Sequence, residues 1–238
     1  MDKVDAAIAT AGSIALRLHG QTIHLLKERA AYWPEAETLI VADIHLGKAA
    51  AFRKHGLPIP EGDSQSDLER LTFLIERHGI RKLIIAGDLL HAASGKSLEI
   101  HAAVEKWREQ NRDLDVVLVS GNHDRSSGVI PDEWQIDVHP ETLSELPFAF
   151  VHDPADIPSD PDLFYFCGHL HPAVSLAEGR MRSLKSACFW QTPHSMVLPG
   201  FGKFTGSKAI HPAATDAIYA ITERSVVQVP SVLFSRRS

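Results

Sequence analysis

The sequence predicts an α/β fold with two β-sheets, and three observations carry that expectation. In the first half, short apolar, β-branched runs alternate with amphipathic segments as strand, helix, strand, helix, strand, an order that implies right-handed crossovers and parallel pairing. After residue 131 helical periodicity disappears while strand-like runs continue, so a second sheet is needed to hold them. No repeat, low-complexity tract or linker interrupts the 238 residues, so residues 1–238 are expected to form a single domain.

Ile14 to Leu18 and Thr22 to Leu26 flank His19-Gly20-Gln21 and predict a hairpin at a sheet edge. Thr38 to Ala42 is the next apolar run, and it ends in Asp43-Ile44-His45-Leu46-Gly47-Lys48. Beyond a loop rich in Gly and Pro (Gly56 to Gly62), Ser66 and Glu69 have capping-box spacing. Leu68, Leu71 and Ile75 then recur at helical intervals, and the helix should end near His78-Gly79. A strand over Lys82 to Ala86 leads into Gly87-Asp88. A helix over Leu98 to Asn111, with Ile100, Val104 and Trp107 on one face, leads to the buried run Val116 to Val119. That run delivers Gly121-Asn122-His123-Asp124 as a tight turn. From Pro131 to Pro161 prolines are dense. Phe148 to Val151 and Leu163 to Phe166 are short strands that run into His152 and into Gly168-His169-Leu170-His171. Met181 to Trp190, Ser195 to Leu198, Ala217 to Ile221 and Val226 to Val229 complete the strands.

Composition limits the function. A net charge of -6 argues against a chain that holds nucleic acid by general electrostatic attraction, though it leaves room for a local basic patch. Cys167 and Cys188 lie in apolar surroundings typical of buried reduced thiols, which favours the cytoplasm. No apolar run approaches a membrane span, and Met1 to Ile14 lacks the apolar centre of a signal peptide, so no membrane association is expected.

The strand-end groups are Asp43, His45, Asp88, Asn122, His123, His152, His169 and His171: carboxylate, imidazole and amide, with no thiolate. Such ligands suit Mn²⁺, Fe or Zn²⁺ in octahedral or five-coordinate geometry and differ from the cysteine-rich sets of structural zinc. Eight groups exceed one ion and suit two ions bridged by a shared carboxylate, for which Asp88 is central in strand order. In Asp43-x-His45 and His169-x-His171, an extended backbone would leave both side chains on one side. His91, Lys48, Arg53 and Lys54 are expected in loops leaving these strand ends, as contacts for substrate phosphate or as solvated charge, and Lys203 in a glycine-rich turn is similar. Trp107, Cys167 and Trp190 are assigned to the core, and the acidic stretch Asp153, Asp156, Asp160 and Asp162 to the surface.

Together, Asp43-x-His45, Gly87-Asp88, Gly121-Asn122-His123-Asp124, His152 and Gly168-His169-x-His171 resemble the five signature motifs of the calcineurin-like metallophosphoesterases. The resemblance implies a sandwich of two facing mixed β-sheets flanked by helices. It also implies one ion on Asp43, His45, Asp88 and His171 and a second on Asp88, Asn122, His152 and His169. His123 would be a non-ligand acting on the phosphate or leaving group, oriented by Asp124. This chain has Val151-His152-Asp153-Pro154 where many members carry Gly-His.

A closer resemblance runs over nearly the whole chain. Ala42 to Lys48, Ala50 to Arg53 with Gly56-Leu57-Pro58, Cys188-Phe189-Trp190 and Leu198 to Gly206 are similar to the bacterial ligase-associated DNA-damage-response phosphoesterases. It implies a metal-dependent endonuclease or phosphodiesterase, acting on DNA in repair beside a DNA ligase, a helicase and an exonuclease; with two divalent ions, Mn²⁺ foremost, a metal-bound hydroxide is expected to attack the phosphodiester bond. Two alternatives stay open: a small-molecule phosphatase or nucleotide phosphodiesterase, and a catalytically silent metal-binding scaffold.

Overall fold

The computed structural model describes residues 11–54, 63–91, 97–159, 161–178 and 182–230. The signal-peptide reading of the first ten residues, the Gly56 to Gly62 loop, Asp160 and the start of the predicted strand at Met181 lie outside the described residues.

The first sheet runs in sequence order through β1 (Ile14–Leu18), β2 (Gln21–Leu26), β3 (Ala30–Trp33), β4 (Thr38–Val41), β5 (Lys82–Ala86), β6 (Asp115–Val119) and β7 (Asp137–His139). β1 to β4 pair antiparallel and β4 to β7 parallel, so the sheet is mixed. Its parallel pairings β4–β5 and β5–β6 arise from crossovers through α2 (Asp63–His78) and α3 (Leu98–Gln110). The short helices α1 (Lys48–Lys54) and α4 (Asn122–Ser127) follow the ends of β4 and β6.

The second sheet contains β8 (Thr142–Glu145), β9 (Phe148–Val151), β10 (Phe164–Cys167), β11 (Pro172–Glu178), β12 (Arg182–Gln191), β13 (Ser195–Val197), β14 (Lys208–Ala209), β15 (Ala217–Ile221) and β16 (Val226–Val229). Its order is β14-β11-β12-β13-β10-β9-β8, with β15 and β16 continuing from β12.

The two-residue period of each strand sorts the core into layers. Ile40, Ile84 and Val117 from the first sheet pack with Phe148, Phe150, Phe166, Phe189 and Met196 from the second, closing the sandwich. Their neighbours Leu39, Leu83 and Val116 face the other way, onto Leu68, Leu71 and Leu74 of α2 and Ile100, Val104 and Trp107 of α3. Burial on both faces is why β4 to β6 read as continuous apolar runs.

Three expectations need correction. The capping box at Ser66 and Glu69 does not form, because α2 already includes Asp63 and Ser66 lies inside it, where its hydroxyl receives the Lys203 ammonium. Lys48, Arg53 and Lys54 belong to α1 and are not in a loop, since three alanines and Phe52 between them favour a helical turn. The Gly121 turn is the N-terminus of α4, with Gly121 as its N-cap. The α3 reading is closely matched: Ser97 Oγ accepts the Ile100 amide at 3.3 Å to start the helix, and Asn111 caps its end.

Candidate metal centre

The parallel strands β4 and β5 deliver their loops to the same edge, and the loops continue the ladder there. The Asp43 amide donates to Gly87 O at 2.9 Å, the His45 amide to Asp88 O at 2.9 Å and the Leu46 amide to Leu89 O at 2.8 Å. Each of these loops is coiled. Asp43, His45, Asp88, His169 and His171 have φ of 55°, 54°, 52°, 67° and 45°, a left-handed region in which non-glycine residues are uncommon and which concentrates at functional sites. The two-residue step therefore converges by coiling and not by the extended backbone expected from sequence.

Glycine is required where these loops touch. Gly87 has φ of 86°, and a methyl group there would overlap the His152 ring; one at Gly121 would overlap the Asp88 carboxylate.

The side chains gather into clusters that share acidic residues. Ligand atoms of Asp43, His45 and His171 lie within 4.8 Å of one another, as do those of Asp43, Asp88 and His152. Asn122 Oδ1 is 3.0 Å from His152 Nε2 and 3.1 Å from His169 Nδ1, and those two nitrogens are 3.1 Å apart. Asp88 lies between the groups: Oδ2 is 3.5 Å from His152 Nε2 and 3.9 Å from His45 Nε2, while Oδ1 accepts the His123 amide at 2.9 Å. Asp43, His45, Asp88 and His152 are buried, whereas Asn122 and His169 are exposed, so the site has a dry floor and an open side.

The far nitrogens explain what such a cluster needs. His152 Nδ1 faces Ala86 O at 3.2 Å, His171 Nδ1 faces Gly206 O at 3.1 Å, and His169 Nε2 faces Asp153 Oδ2 at 3.6 Å. A ring proton on the nitrogen facing that oxygen would leave the other nitrogen's lone pair aimed into the cluster. There the lone pairs meet acceptors: His152 Nε2 meets Asn122 Oδ1, and His171 Nε2 lies 3.3 Å from Asp43 Oδ1. Asp43 Oδ1 and His45 Nδ1 are also buried without a hydrogen bond. Converging lone pairs and carboxylate oxygens repel unless cations lie among them, so this donor set fits divalent metal ions.

Electrostatics agree with that fit. Burial, followed by Lys48, His171, His123 and His91, lowers the His45 pKa to about 2, so the ring is neutral and available as a donor. Burial raises the Asp88 carboxyl pKa, opposed by His152 and reinforced by Asp43. Burial also lowers the Lys48 ammonium pKa, while Asp43 and Asp88 pull it upward, which puts this cation beside the acidic cluster.

The remaining predicted residues fall at varied places. The His123 ring stacks on His91 (centroids 4.9 Å apart, 29° between planes) and meets the edge of His45 at 5.0 Å. Asp124 does not reach that ring in any described contact. Its carboxylate accepts the Leu90 amide at 2.9 Å and the Gly121 amide at 3.0 Å, so it joins the Asp88 loop to the start of α4 and can orient His123 only through the backbone. Burial raises its pKa to about 6. Burial also lowers the His91 pKa to about 4, helped by Lys48 and His123. Arg53 lines a cavity of about 110 Å³ with Ser64, Gln65 and Glu99, none of them a candidate ligand. Lys203 is tied to α2 through Ser66 and, by its amide, to Asp67 at 3.3 Å. Cys167, Cys188 and Trp107 are buried as expected, and Trp190 is half-buried with its indole nitrogen on Asp216 at 2.8 Å.

Asp153, placed on the surface from sequence, is half-exposed there and also comes within 3.6 Å of His169 Nε2. Its position directly after His152 was the available signal. The carbonyls of Ala86 and Gly206 gave no side-chain signal.

Acid and imidazole clusters that share Asp43, with Asp88 lying between His45 and His152, sit at the end of a parallel sheet within a two-sheet sandwich and fit a metal-dependent hydrolase of phosphate esters. Residues 37–171 match the calcineurin-like phosphoesterase family, and the chain belongs to that family, whose members depend on two metal ions. The chain is 35% identical to a nuclease, MPE of Pseudomonas putida, whose crystal structure superposes with a TM-score of 0.78 over 90% of this chain and 100% of that one. Over 85 residues it is 35% identical to the DNA double-strand break repair protein Mre11 of Methanopyrus kandleri, covering 35% of this chain and 18% of that protein's length. Among the described residues, no helix is long and apolar enough to cross a membrane.

Proposed function

We propose that this phosphoesterase is a DNA-directed phosphodiesterase, an endonuclease working with two divalent ions, Mn²⁺ foremost. The observation that carries the reading is the likeness to a nuclease, which covers 90% of this chain and so extends beyond the residues of the family match. The open side of the site supports it, because a phosphate within a polymer can approach past Asn122 and His169 without entering a closed pocket.

In this reading one ion is held by Asp43, His45, Asp88 and His171, and the other by Asp88, Asn122, His152 and His169. When bound, such ions supply Lewis acidity toward the phosphoryl oxygens and a nucleophile at neutral pH. The protein residues provide the rest. The Oδ1 of Asp88 is occupied by the His123 amide, which leaves Oδ2 turned toward His45 and His152. The amide nitrogen of Asn122 holds a non-bridging oxygen. His123, steadied between His91 and His45, donates a proton to the leaving oxygen. Asp124 keeps the start of α4 against the Asp88 loop. Lys48, and with it His91 and Arg53, binds the flanking phosphates. In this reading the activity serves cytoplasmic repair beside a DNA ligase, a helicase and an exonuclease, the setting that the sequence motifs alone imply.

Plasmid and single-stranded DNA, bis-p-nitrophenyl phosphate and p-nitrophenyl phosphate, compared under Mn²⁺, test the reading. Cleavage of DNA and the diester ahead of the monoester is expected. Turnover of the monoester alone would make the protein a small-molecule phosphatase, and binding of Mn²⁺ without turnover of any substrate would make it a scaffold.

A further inference from the structure

Beside the metal centre, the loop from Leu198 to Gly206 contributes no candidate ligand, yet its backbone touches several. The Phe201 amide donates to Ala42 O at 2.8 Å and the Gly202 amide to Asp43 O at 3.1 Å, pinning the residue that sits at φ of 55°. At the other end, Gly206 O lies 3.1 Å from His171 Nδ1, the ring nitrogen opposite the Nε2 that is 3.3 Å from Asp43 Oδ1.

With those amides committed inward, the three successive carbonyls of Gly200, Phe201 and Gly202 face two arginines from distant parts of the chain. Arg29, in the turn between β2 and β3, donates through Nη1 to Gly200 O at 3.2 Å and Gly202 O at 3.4 Å. Arg70, in the second turn of α2, donates through Nη2 to Phe201 O and lies over the Phe201 ring at 4.0 Å. Asp67 steadies the arrangement, pairing with Arg70 at 3.1 Å and accepting the Lys203 amide at 3.3 Å. A guanidinium presents its donors in a fixed planar fork, which an ammonium cannot reproduce.

We propose that Arg29 and Arg70 are positioning residues for the ion on the Asp43, His45 and His171 side. They clamp the Gly200 to Gly202 carbonyls and so fix the Asp43 backbone and the His171 tautomer. This rests on the ligand assignment proposed above, and it reaches beyond that assignment to two residues outside the candidate ligand set.

The test is Mn²⁺ titration of the full chain by calorimetry and by the electron paramagnetic resonance of bound Mn²⁺, for wild type, Arg70→Met, Arg70→Lys and Arg29→Lys. One of the two ions should bind about 10–100-fold more weakly in each variant while the other keeps its affinity, the size expected when a group supporting a metal ligand is lost. The lysine variants keep the charge and much of the packing, so they give the answer even if Arg70→Met does not fold. Arg70→Lys should further weaken the ion that remains in His152→Ala and add nothing to His171→Ala. Two ions bound as in wild type, or both weakened alike as in a general loss of stability, would overturn the clamp. If His171→Ala itself weakens neither ion, the ligand assignment fails and the clamp with it. If His171→Ala weakens one ion and the arginine variants do not, only the clamp fails. Neither result depends on whether DNA is the substrate.

Discussion

The Nδ1 of His152 lies 3.2 Å from the carbonyl oxygen of Ala86, the last residue of β5 and two residues before Asp88. His152 follows β9 of the second sheet, so this contact joins the two sheets at the point where their polar ends meet. The site therefore exists only when the sandwich is closed in register, and the contact also fixes which His152 nitrogen faces the cluster.

Gly87 is the residue that permits this approach. Gly87→Ala would set a methyl group into the His152 ring and place a side chain at φ of 86°. Weakening of the ion on the Asn122, His152 and His169 side is expected, with a stability loss of about 1–3 kcal/mol. Mn²⁺ titration with a denaturant melt checks both, and wild-type values in both would contradict the close packing.

His123→Ala should lower kcat on a diester substrate by about 10²–10⁴-fold, the range for loss of a general acid. Both ions should be retained, because only the backbone amide of His123 touches Asp88. Full activity with both ions bound would remove the His123 ring from the mechanism.

His78 makes stability depend on pH without involving the metal centre. It ends α2, is 4% exposed, and lies 4.7 Å from the Tyr32 ring, with a pKa lowered to about 4 by burial, followed by Arg77 and His24. The folded state thus favours the neutral ring. Its contribution is complete above the ordinary value of 6.5 and is lost as pH falls from there toward 4. Across that window the melting temperature of the wild type should fall relative to that of His78→Phe as pH drops. A constant difference would show that His78 does not titrate on unfolding.

Binding to single-stranded DNA should weaken only gently with salt. With a net charge of -6 and few cations beside the site, a slope of log K against log salt shallower than about −3 is expected. A steep slope would mean that a basic surface elsewhere carries the affinity.

The candidate strand-end ligands were legible because their side chains interrupt apolar runs that are buried on both faces, as at Val41 and Asp43 or Ala86 and Asp88. β3, Ala30–Trp33, escaped notice since it is buried throughout and has neither alternation nor β-branched residues to mark it. β11 begins at Pro172, which reads as a break. The left-handed turns at Asp43, His45 and Asp88 arise from pairing between two loops distant in sequence, and neither loop states it alone. Arg29 and Arg70 are single charged residues in a turn and a helix, and their partners are backbone carbonyls of a loop more than a hundred residues away.

The proposed bridging of two ions by Asp88 is tested most directly by the ion count of Asp88→Asn. Protein loaded with Mn²⁺, passed through gel filtration and assayed for metal should carry two ions per chain as wild type and neither tightly as Asp88→Asn. Two ions retained by Asp88→Asn would contradict the bridge.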